Sequence, residues 1–157
     1  MAARLCVVER VAGTATTEFG APDGRPAADG APVTAAVAGR HTRLLRAAWA
    51  AFDTYAATAP ESLRKGPRGG GRDRDTMIDH VVGAETAYAR KIGVKHRQPP
   101  INDRTAIGAL RDDIIATLDQ TGDGGPLTGN GWTARYAARR FVWHVLDHLW
   151  EMQDRSP

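Results

Sequence analysis

The stretch Arg139-Arg140-Phe141-Val142-Trp143-His144-Val145-Leu146-Asp147-His148-Leu149-Trp150-Glu151 decides how this chain is read. Phe141, His144, Val145, His148 and Met152 recur at steps of three and four, the period of a helix with one inward face. A turn of 3.6 residues puts His144 and His148 about 40° apart on that face. Two imidazoles so placed can grip one metal ion. A third, His80, lies far back in the run Asp75-Thr-Met-Ile-Asp-His-Val-Val-Gly-Ala-Glu85, which is also helix-like. Three neutral imidazoles leave the fourth position of a tetrahedral ion open, as in reactive rather than structural sites. A lone histidine on an apolar face is ordinarily a hydrogen-bonded core residue. The metal reading therefore depends on all three converging.

Working outward, four helical stripes are legible. Val33, Val37, Leu44, Leu45, Ala48, Trp49, Phe52 and Tyr55 predict a first long helix over residues 32–58, stopped before Pro60. Met77, His80, Val81, Ala84, Tyr88 and Ile92 predict a second, capped by Asp73 or Asp75 and ended by Gly93. Asn102 or Asp103 opens a third with Ile107, Leu110, Ile114 and Leu118 inside, ended by Gly122. The fourth spans residues 133–155. The expected fold is all-α, a four-helix up-and-down bundle over residues 32–157. Residues 1–31 are expected as an N-terminal extended arm and loop. Within them, residues 5–19 carry the valines and threonines of a β-like arm or hairpin. Residues 64–72 read as a basic, glycine-rich loop, and residues 122–131, rich in glycine, as a mobile one.

Composition narrows the function classes. The chain has 157 residues, enough for one domain with its own core. Its 42% hydrophobic and 25% charged content suits a soluble protein, and a net charge of +3 is too slight to argue for nucleic acid. No run of ~18 apolar residues suggests a membrane span. Glu9 and Arg10 cut short the apolar run from Leu5 to Val8, so no signal peptide is expected. Cys6 is the single cysteine, which excludes an internal disulfide or zinc ribbon and suits the cytoplasm. Residues Gly66 to Gly71 follow no strand and lack the ending of a phosphate loop.

With four helices in this order, His80 in the second and His144-x-x-x-His148 in the fourth, the chain resembles the DinB-like superfamily of small bacterial four-helix-bundle proteins. That superfamily includes metal-dependent bacillithiol and mycothiol S-transferases. The segments Asp79–Glu85 and Arg139–Glu151 are also similar to a group of uncharacterised actinobacterial proteins of this type. The resemblance covers about residues 32–155. It implies a metal site of His80, His144 and His148 for zinc, nickel or iron, with a small thiol and an electrophile as substrates. The N-terminal arm departs from that pattern, which begins near the first helix, and relatives with further upstream sequence are expected.

Neighbouring residues admit two readings each. Asp147 and Glu151 either orient imidazole N–H groups or pair with Arg140 and Arg155 on a solvated face. Glu85 is about 140° from His80 and is expected to meet a cation elsewhere. Tyr88 is either core or a hydrogen-bond donor reaching the site. His41 has no assigned role, and His96 is expected in solvent. Arg68, Arg72 and Arg74, or Lys91, Lys95 and Arg97, either attract an anionic cosubstrate or keep loops soluble. Tyr136, Trp143 and Trp150 recur every seven residues, as core or as the face of a homodimer. The function alternatives are a non-catalytic stress-response or binding protein with a structural or absent metal, and a metal-dependent hydrolase.

Overall fold

The computed structural model describes residues 6–18, 20–66 and 71–157. Among them the elements in order are a one-turn helix α1 (Ala15–Glu18), a 3-10 turn (Ala27–Gly30), and four long helices. These are α2 (Ala35–Ala56), α3 (Arg74–Lys91), α4 (Arg104–Leu118) and α5 (Ala134–Arg155). The molecule is all-α, and α5 is its axis, packed along both α2 and α3, with α4 set against α2 and α3.

The helix starts follow from side-chain chemistry. Thr34, Asp103 and Thr133 each accept a hydrogen bond from the backbone N–H three residues on, satisfying a donor that the first turn leaves open. Asp73 occupies the same position before α3 but spends its carboxylate on the Leu63 N–H and the Lys65 ammonium. Gly93, at φ +88°, ends α3 in a conformation that L side chains rarely adopt.

Leu45, Phe52, Met77, Val81, Leu110, Ile114, Leu118, Phe141, Val145 and Met152 fill the core almost without exposure. Burying each such side chain contributes about 1.5–3 kcal/mol against the cost of ordering the chain.

Two expectations change. The described part of the N-terminal arm holds no strand: residues 6–14 are irregular, and residues 15–18 make a helical turn. Leu5 and Phe19, the ends of that expected stretch, lie outside the described residues. Thr14 and Thr17 turn their hydroxyls onto nearby backbone groups, a local alternative to strand pairing that threonine offers readily. The glycine-rich stretch 122–131 is fastened rather than loose. Gly122 exchanges two backbone hydrogen bonds with Val33, and the Trp132 N–H donates to the Lys91 carbonyl at 2.8 Å. Its glycines permit close approach: a Cβ on Gly124 would lie 2.1 Å from the Gly30 carbonyl oxygen.

Candidate metal centre

The three histidines meet where the C-terminal half of α5 runs beside the first turns of α3. Ring centroids lie 4.5 Å apart for His144 and His148, 4.7 Å for His80 and His148, and 5.2 Å for His80 and His144. One nitrogen from each ring falls within 4.8 Å of the other two. Nitrogens around a tetrahedral zinc, at a Zn–N length near 2.1 Å, stand about 3.4 Å apart. Small ring rotations close that gap, so the three are near enough to bind one ion. His144 and His148 are buried, and His80 is half-buried.

The donor chemistry fits a metal. Burial, reinforced by His148, His80, Arg140 and Arg72, pushes the His144 imidazole down to a pKa of about 3. Burial, with Arg72 next, also lowers His80. Both rings are therefore neutral at physiological pH, the form that offers a lone pair. The His148 Nδ1 lies 2.8 Å from a Glu151 carboxylate oxygen. An ionised carboxylate only accepts, so this contact places the proton on Nδ1 and leaves Nε2 with its lone pair free. The buried Nδ1 of His144 has no hydrogen-bond partner, an orphan of the kind that marks an incomplete polar site.

Positive charge surrounds these neutral rings. Arg140, one turn before His144, is 6% exposed and makes no ion pair with any described residue. Its Nη2 donates to the Tyr88 hydroxyl at 3.2 Å, while Nε and Nη1 have no partner. The guanidinium carbon stands 5.5 Å from the centre of the Tyr88 ring and 5.3 Å from that of Trp143. Each contact contributes about 0.5–2 kcal/mol. A buried charge without a counter-ion costs about 3–5 kcal/mol. The rings offset part of that cost and leave the donors unmet.

Several sequence expectations resolve here. Glu151 does both jobs proposed for it, holding His148 and pairing with Arg155 at 3.1 Å. Asp147 makes no hydrogen bond or ion pair with His144, His148 or Arg140. Glu85 does meet a cation elsewhere: it is 1% exposed, accepts from Trp49 Nε1 at 2.7 Å, and pairs with Arg111 at 3.1 Å. Tyr88 reaches the site, its ring edge-on to His144 at 5.6 Å. His96 is bound rather than free, with Nε2 2.7 Å from an Asp113 carboxylate oxygen. Arg74 is engaged by Asp75 and the Ala59 carbonyl, and Arg68 lies outside the described residues.

The aromatic repeat divides. Tyr136 is buried, Trp143 is half-buried, and Trp150 is 56% exposed. A seven-residue step falls about 20° short of two full turns, and Trp150 stands about 160° from His148. His41 joins a different feature. It lines a cleft of about 460 Å³ between α2 and α5 with Arg40, Leu44, Val142 and Trp143, and the three imidazoles are not in its wall.

Arg140 is the candidate site residue that the sequence pattern leaves out. On sequence it is, with Arg155, one of two partners that Asp147 and Glu151 are offered in one of their two readings. Its position four residues before His144, on the same inward face, was the available signal. No family model, curated protein or solved structure matches this chain.

Proposed function

We propose that His80, His144 and His148 hold one divalent transition metal, zinc, nickel or iron, in a DinB-like four-helix bundle. In this reading the protein is a cytoplasmic transferase that adds a low-molecular-weight thiol to an electrophile. The observation that carries it is the meeting of three imidazoles from segments 64 residues apart in sequence, from His80 to His144. When bound, the ion supplies a Lewis acid with an open position, able to lower the pKa of a thiol. The chain's own residues prepare that position. Burial keeps His144 unprotonated, Glu151 fixes the tautomer and tilt of His148, and half-exposed His80 stands on the solvent side.

The test has two stages. Protein reconstituted with zinc, nickel or iron should carry close to one ion per chain, and His144→Ala or His148→Ala should abolish it while helicity is retained. No bound metal in the unaltered protein defeats the reading. Loaded protein should then conjugate a small thiol to a bimane electrophile in a metal-dependent way. A second reading, a metal-holding protein without turnover, is favoured by the burial of His144 and His148. Stoichiometric metal with no conjugation by any common bacterial thiol would select it.

A further inference from the structure

We infer that the ligand of this centre carries a carboxylate, which is received by Arg140 beside the imidazoles; this rests on the metal reading above. The argument begins with unmet donors. A guanidinium has five N–H groups in a fixed plane, and at Arg140 a single nitrogen, Nη2, finds an acceptor. Nε and Nη1 are shut off from solvent and unpartnered. The hydroxyl and ring of Tyr88 and the ring of Trp143 touch it, its charge is felt at Tyr136 and His144, and none of these bears a negative charge.

The surroundings sharpen the need. Arg72 adds positive charge near His80 and His144. Two acids act on His80: Glu151 is already divided between His148 and Arg155, and Asp79 is exposed and accepts from Gln98. A divalent ion on the imidazoles would add further positive charge to the same interior. A ligand whose anionic group meets the Arg140 donors offsets that excess and gives an orphaned N–H its acceptor. Carboxylate and phosphate both match a guanidinium fork, and the carboxylate, planar and smaller, suits donors shut off from solvent.

The route is defined by Tyr88. Its ring edge faces His144 and its hydroxyl accepts from Arg140, so it touches both an imidazole and the guanidinium. A ligand with its thiol at the imidazoles and its carboxylate a few bonds away reaches Arg140 by displacing that hydroxyl.

The test compares three thiols on the zinc-loaded full chain: 3-mercaptopropionate, 2-mercaptoethanol and cysteamine. The expected order places 3-mercaptopropionate at least tenfold tighter than 2-mercaptoethanol, with cysteamine weakest. Arg140→Met should reduce that preference to within twofold while metal content stays at one per chain. Equal affinities in the unaltered protein, or a preference that survives Arg140→Met, would overturn the inference and leave the metal reading standing. A parallel arm uses metal-free protein: propionate should raise its melting temperature in an Arg140-dependent way, and inorganic phosphate should not. If no metal binds at all, the metal reading fails and the propionate arm alone decides, absence of a shift counting against the inference. Should Arg140→Met not fold, the ranking of the three thiols on the unaltered chain settles it.

Discussion

Two buried polar clusters share helix α3 and are finished to different degrees. In the first, Glu85 on α3 is met by Arg111 of α4 and Trp49 of α2, while Arg111 also reaches Asp53 at 2.7 Å. Burial pushes the Glu85 carboxyl up, and the opposing pull of Arg111 and the Trp49 N–H keeps its charge matched. In the second, among the described residues, Glu151 is the carboxylate hydrogen-bonded to the group of three imidazoles and Arg140. A closed network gives a fold one arrangement of its helices. An open one stores unmet bonding capacity, which is what a ligand site requires.

The contrast is broken most severely at Arg111. Arg111→Met would strand Glu85, so urea unfolding should report a loss of about 3–5 kcal/mol. Acid should attack the other cluster. The His144 pKa of about 3 lies below its unfolded value of 6.5, so the folded state binds fewer protons. Its contribution is complete above pH 6.5 and is lost as pH falls toward 3. Between pH 6.5 and 5 the metal-free protein should lose on the order of 2 kcal/mol, measured by urea titration at each pH. His80, lowered in the same direction, steepens the fall.

Arg140→Met should move stability the opposite way from Arg111→Met. Removing a buried charge with no counter-ion should leave metal-free protein unchanged or more stable by about 1–2 kcal/mol. A loss of several kcal/mol would mean that the two clusters are alike after all. The smallest effect belongs to Trp150→Ser. Mostly exposed, it should shift stability within about 0.5 kcal/mol and leave metal content intact. A larger loss would restore the aromatic repeat as a packing surface.

What could be read from the residues was local and periodic. The stripes from Leu45 to Phe52 and from Ala137 to Met152, with Thr34, Asp103 and Thr133 as caps, follow from repeats within one helix. The inward direction of His80, His144 and His148 came the same way. Pairings between helices did not. Nothing within α4 distinguishes Arg111 from its other polar residues until Glu85 and Asp53 are placed beside it. The acids at 147 and 151 offer Arg140 a partner by closeness in sequence, yet neither pairs with it. The stretch 122–131 reads as mobile because glycine signals both looseness and close approach, and Gly124 takes the second role.

One backbone hydrogen bond acts as a ruler for the histidines. The Trp132 N–H donates to the Lys91 carbonyl, tying the end of α3 to the entry of α5. His80 lies 11 residues back from Lys91, and His144 lies 12 residues on from Trp132. At 1.5 Å per residue these are about 16 and 18 Å, so both rings hang at nearly equal depth from one anchor. Inserting a single residue on either side would shift its ring by about 1.5 Å and swing it about 100°. Alignment across the interior is thus measured out from a peptide group far from the imidazoles themselves.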